Sequence, residues 1–156
     1  MKTLISGIGN PILTDDGVGV YVVRELVQRP PCDDVDVAEA SVGGMRLLSV
    51  IAGYERVILV DAIQTPGGRP GDIIHLRSDD LRCSMHAGCT HDLSLAGTLA
   101  LGRGLGMDLP NDEHFQIVAI QVEDVLTFSE KCTPAVEAAI PRAVAEIVAM
   151  LAEGPA

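Results

Sequence analysis

Between Gly7 and Gly19 the chain reads Gly-Ile-Gly-Asn-Pro-Ile-Leu-Thr-Asp-Asp-Gly-Val-Gly, so two adjacent carboxylates, Asp15 and Asp16, follow a glycine turn. A third, Asp61, comes directly after the apolar run Val57–Val60, and His91 with Asp92 precedes a later apolar segment. An aspartate ending a buried apolar strand is costly unless it is paired or bound to something. Two separated carboxylates and an imidazole form a mixed oxygen and nitrogen donor set suited to a borderline divalent ion such as Ni²⁺, Zn²⁺, Co²⁺ or Mn²⁺. Three protein ligands leave positions open for water or for donors from another molecule. The same residues have quieter uses. Acids at a helix start act as caps and complement its dipole, and a lone histidine is commonly a hydrogen-bonded structural residue.

Other chemistries find weaker support. Cys83-Ser-Met-His86-Ala-Gly-Cys89-Thr-His91 puts two cysteines and two histidines within nine positions. Structural zinc sites separate their ligand pairs by a longer loop, so Cys83 and Cys89 read as ordinary thiols. Gly7-x-Gly9-x-x-Ile12 lacks the third glycine of a dinucleotide fingerprint, and no Gly-Lys-Ser/Thr phosphate loop is present. Ser41-Val-Gly-Gly is not a nucleophile elbow.

The elements that must position these groups alternate. Thr3–Ser6 predicts a strand, and Val18, Val22 and Leu26 mark one face of a helix over 16–28, stopped by Pro30-Pro31. Val35–Ala38 is a short strand, and Gly43-Gly44 lead into a helix with Met45, Leu48 and Ile51 inward. Arg56–Val60 is a continuous apolar strand of the kind buried on both faces. A turn-rich loop over 65–71 precedes a strand at Asp72–Leu76. A small-residue helix carries Leu95, Leu99 and Leu105, and Phe115–Ile120 is the last strand. Thr133-Pro134 is a helix start, with Thr as cap, for a helix reaching about Ala152 and bent at Pro141. Such alternation implies a three-layer α/β/α domain spanning 1–156 with a mainly parallel, twisted five-stranded sheet. Function then belongs past the carboxyl ends of its strands, at Asn10, Asp15, Asp16, Asp61, Gln121, Glu123 and His91.

Composition narrows the classes. The chain is 47% hydrophobic but only 3% aromatic, which leaves an aliphatic core and few platforms for stacked bases. A net charge of −11 opposes binding to a phosphate backbone. No run approaches the ~18 apolar residues of a membrane helix, and the first residues do not form a signal peptide. A cytoplasmic protein with reduced Cys32, Cys83, Cys89 and Cys132 is the expectation.

Three families place polar residues this way. Receiver domains carry an acidic pair and a later phosphoacceptor aspartate, but they also need a lysine where this chain has Gln121-Val-Glu123. Bacterial peptidyl-tRNA hydrolases share Gly-x-Gly-Asn-Pro but need a histidine near the position of Asp15-Asp16-Gly17. The sequence resembles the hydrogenase maturation endopeptidases over nearly its whole length. The resemblance rests on Gly7-x-Gly9-Asn10-x-x-x-x-Asp15-Asp16-x-x-Gly19, Gly43-Gly44-Met45, Val60-Asp61-Ala62, His91-x-Leu-x-Leu and Thr133-Pro134-x-Val-Glu137.

That resemblance implies removal of a C-terminal extension from the large-subunit precursor of a nickel–iron hydrogenase, after nickel insertion. It implies that Asp16, Asp61 and His91 act on nickel carried by the substrate, with no resident cofactor, and that Asp15 supports them. Gly9, Asn10, Gly43 and Gly44 would shape the cleft. His86 is an alternative third ligand, and a monomer is expected. The family's Asp-Gly-Gly-Thr-like turn is replaced by Glu39-Ala-Ser-Val-Gly-Gly44, so partner choice does not carry over. An accessory protein that binds metal without hydrolysis is the alternative reading of the same rim.

Overall fold

The computed structural model describes residues 1–41, 45–80 and 95–154. Its five strands are β1 (Thr3–Ile8), β2 (Val35–Ala40), β3 (Arg56–Ile63), β4 (Ile73–Arg77) and β5 (Phe115–Gln121). The helices are α1 (Val18–Gln28), α2 (Met45–Ile51), α3 (Leu95–Gly104) and α4 (Pro134–Glu153). The strands lie in the order β2-β1-β3-β5-β4. All pairings are parallel except that of β4, an edge strand running antiparallel to β5.

Alternation along the strands divides the core into two layers. Ile5, Ile58, Val60 and Val118 pack with Val22, Leu26, Val136 and Ile147 of α1 and α4. Leu4, Ile8, Leu59 and Ile117 pack with Leu48, Ile51 and Leu99 of α2 and α3. The expected three-layer α/β/α arrangement is present, and it matters most at one place. From β1 the chain moves outward to β2, then returns to the other side of β1 as β3. The carboxyl ends of β1 and β3 therefore bound the crevice where strand order reverses, the usual ligand position in open α/β sheets.

The strands run further than their apolar runs suggest. β1 continues through Gly7 and Ile8, and β3 continues to Ile63. Asp61 is consequently inside β3, opposite Ala119 of β5, and does not follow its end. β1 pairing stops at Gly7–Val60, so Asp61 lies where β3 loses one neighbour and keeps the other. At the start of α1 the expectation of a helix from residue 16 also needs correction. Thr14–Gly17 form a 3₁₀ turn, and the α-helix begins at Val18. α4 is a single helix of 20 residues with Pro141 inside it.

Glycines set how closely these elements approach. A Cβ on Gly19 would lie 2.2 Å from the Val60 carbonyl and 2.7 Å from that of Ile8. One on Gly7 would lie 2.1 Å from the Gly19 carbonyl. The first turn of α1 thus sits directly on the β1 and β3 backbones, which no larger residue permits. Gly19→Ala is expected to destabilise the protein by at least ~3 kcal/mol in chemical denaturation, since backbone has to move to admit the methyl group. Gly104→Ala, where a Cβ meets nothing within 4 Å, should leave stability unchanged or slightly raised.

Candidate active site

The segment from Gly9 to Gly17 is folded by local rules. Gly9 has φ +137°, and a Cβ there would meet the Asp16 carbonyl at 2.0 Å. Asn10 closes a side-chain turn, its Oδ1 accepting the Ile12 N–H at 3.2 Å. The Asn10 N–H in turn donates to Asp16 Oδ2 at 2.9 Å. The glycine therefore brings the turn back on itself, and Asn10 fixes the carboxylate of Asp16 at the end of β1. Asp16 is only 5% exposed. The 3₁₀ turn that carries it packs against β3, so Asp16 and Asp61 border the same crevice.

Asp61 is fully buried, and its Oδ1 accepts the N–H of Ala62 at 2.8 Å. By alternation with Leu59 and Ile63 it belongs to the face covered by α2 and α3. Ser6 shares that face of β1, where its hydroxyl is buried without a partner among the described residues. Apart from its place at a strand end, no sequence signal singled it out.

Asp15 faces elsewhere. Its carboxylate accepts N–H groups from Glu123 at 3.1 Å, Asp124 at 3.0 Å and Thr133 at 2.6 Å, and the Thr133 hydroxyl at 2.8 Å. The two adjacent acids thus divide their work. Neither caps the helix that follows them: no side-chain cap bond occurs at the 3₁₀ turn or at α1. Thr133 holds the cap position of α4, its carbonyl accepting the Glu137 N–H at 2.9 Å, but its side chain makes no cap bond, because its hydroxyl donates to a buried carboxylate, the stronger acceptor.

Thr14 completes the clasp with φ +52°, a conformation that β-branched residues rarely adopt. Its N–H donates to the Ser129 carbonyl at 3.0 Å, its hydroxyl to the Thr127 carbonyl, and its own carbonyl faces the Cys132 thiol at 3.7 Å. Strain of this kind persists where the surroundings over-determine it. Cys132 is buried here, and burial, with the Asp15 and Glu137 charges, pushes its thiol up to about 12.

Two further rim residues serve the scaffold. Gln121 lies beneath the 65–71 turn, accepting the Thr65 hydroxyl at 2.9 Å against the backbone of Gly68. The exposed Glu123 contributes its backbone, the N–H to Asp15 and the carbonyl to Gln64. His91, its alternative His86, the cysteines 83 and 89, and Gly43-Gly44 lie outside the described residues. Among the described residues no three metal-ligating side chains come together, and no helix is long and apolar enough to cross a membrane.

An α/β sheet with buried acids at its switch point and no phosphate loop is a frame for acid–base or metal-assisted chemistry. Comparison with known proteins defines it further. A family model described as hydrogenase maturation protease matches residues 20–150. The hydrogenase 2 maturation protease of Escherichia coli is 32% identical over 155 residues, covering 98% of this chain and 92% of that protein. The chain belongs to the hydrogenase maturation protease family, a family of peptide hydrolases. The solved structure of the E. coli hydrogenase maturating endopeptidase HybD superposes with a TM-score of 0.79 at 31% identity, covering 98% and 93% of the two chains. The [NiFe] hydrogenase maturation protease HybD of Thermococcus kodakarensis shares the fold, with a TM-score of 0.68 at 23% identity and coverage of 97% and 99%. The glycine and acid turn lies upstream of the segment matched by the family model. Coverage by the E. coli relatives nonetheless includes nearly all of the chain.

Two outcomes follow from the clasp. Asp15→Ala leaves several buried donors without acceptors and is expected to lower stability by ~2–4 kcal/mol. In native protein at pH 8, iodoacetamide should leave the Cys132 peptide unlabelled by mass mapping, whereas unfolded protein is labelled there. The folded thiol holds its proton to about 12 against an ordinary 9.0. The unfolded chain therefore ionises first, and this contribution to stability is lost as pH rises from 9.0 towards about 12.

Proposed function

We propose that this chain is the endopeptidase that removes the C-terminal extension from a nickel–iron hydrogenase large-subunit precursor. In this reading Asp16, Asp61 and His91 recognise nickel that the precursor already carries. Membership of the maturation protease family supports the reaction class. The observation that carries the site is the pair of buried carboxylates, Asp16 and Asp61, bordering the crevice between β1 and β3.

The chemistry is consistent with those residues. Carboxylates and an imidazole suit a borderline ion, and an incomplete protein set leaves room for the precursor's own donors. An ion shared between protease and precursor would hold the adjoining peptide segment at the crevice. It can polarise the scissile carbonyl or a water molecule. A carboxylate at the edge can take a proton from the attacking water and return it to the leaving amine as the C–N bond is cleaved. Asp15 is unsuited to either task, since neutral donors already occupy both its oxygens.

Intact-mass measurement of nickel-loaded precursor tests this reading. Wild-type protein is expected to release one C-terminal peptide only when nickel is present. Asp16→Asn and Asp61→Asn should slow release at least ~100-fold with a cooperative unfolding transition retained. Unchanged precursor mass, with metal binding and precursor association intact, would instead identify a non-catalytic accessory protein.

A further inference from the structure

Beside the crevice the connection from β5 to α4 holds large apolar side chains in water. Leu126 is 84% exposed and Phe128 79%, with Ile12 next to them at 47%. The chain has only two phenylalanines. Phe115 is fully buried, whereas Phe128 stands at the surface.

The exposure is built in. Asp124 Oδ1 accepts the N–H groups of Leu126 and Thr127, each at 3.0 Å, which fixes the turn bearing Leu126. Ser129 N–H donates to the Ile12 carbonyl at 3.0 Å, and Leu13 and Ser129 form a parallel bridge. With Thr14 bonded to the carbonyls of Ser129 and Thr127, residues 12–14 and 127–129 form a short ribbon. That ribbon is pinned from behind by Asp15. These bonds fix the backbone from which both side chains project. Exposed apolar groups held this way mark interaction sites.

We propose that Leu126, Phe128 and Ile12 form a convex docking knob for a folded surface of the precursor that is processed. This rests on the function proposed above. Two observations specify the occupant. The knob is continuous with the candidate site: Ile12 is two residues beyond Asn10, whose N–H fixes Asp16. Its segment carries Glu123, Asp124 and Glu130 against the single cation Lys131, on a chain of net charge −11. The complementary face is therefore an apolar hollow bordered by lysine or arginine. A projecting knob fits such a hollow, whereas an extended peptide is gripped by a groove. Central aromatic and aliphatic anchors with a charged rim are the usual source of affinity and steering in interfaces.

The test measures turnover and affinity together, using nickel-loaded precursor and the Leu126→Ser/Phe128→Ser double variant. KM and Kd are expected to rise at least about tenfold with kcat within about twofold, because the knob anchors binding and does not touch the reacting bond. Raised salt should weaken wild-type binding through the acidic rim. Leu105→Ser, at a residue 66% exposed beyond the end of α3, should change neither constant. Unchanged KM and Kd in the double variant would overturn the proposal. So would a wild-type dimer that the double variant converts to monomer, which assigns the knob to a second copy. The two readings fail separately. If wild type leaves the precursor uncut but the double variant still binds it at least about tenfold more weakly, docking stands and the proposed hydrolysis falls.

Discussion

The carboxylate of Asp15 is the interaction on which the carboxyl edge of the sheet depends. It is wholly buried, and it draws its donors from both ends of the connection between β5 and α4, from Glu123 and Asp124 at the start and Thr133 at the close. The two ends of that connection are thus referred to one charge more than 100 residues earlier in the chain. Because neutral N–H and O–H groups satisfy it, no mobile cation has to be held in place alongside. Asp16, the next residue, inherits a fixed backbone position, and the Asn10 amide supplies its orientation. One acid of the pair builds the frame and the other is left to face the crevice.

The glycines act on the same edge from the other side. Gly7 and Gly19 let α1 rest on strand backbone, and Gly9 folds the turn over itself. This shortens the distance between the end of β1 and the buried acid of β3 without any side chain having to bridge it. Close approach also keeps Asp16 and Asp61 out of bulk water, so a charge placed beside them is weakly screened.

Much of this was legible in the residues. Alternating apolar runs implied the layered sheet, and spacing in the first nineteen residues implied a tight turn with acids beside it. What escaped was set by long-range contacts. Asp61 lies inside its strand because β5 continues to pair with β3 after β1 has stopped, and no local pattern reports a neighbour's length. Thr133 has the composition of a cap, but its hydroxyl answers to Asp15, 118 residues away. Gln121 and Glu123 stand at the expected rim by sequence, yet the turn over 65–71 and the Asp15 clasp claim their polar groups. The strain at Thr14 is invisible in a sequence that would favour glycine or asparagine there.

The two outer strands have a consequence for how the molecule behaves among copies of itself. β2 carries Asp36 and Glu39, the latter 2.7 Å from Arg24, and β4 carries His75 and Arg77, the former 2.6 Å from Glu146. Charged side chains along an outer strand frustrate the backbone pairing by which sheets extend into aggregates. Both margins are therefore poor templates for fibril growth. A protein that keeps a greasy knob in water for another molecule can then accumulate without its sheet recruiting its neighbours.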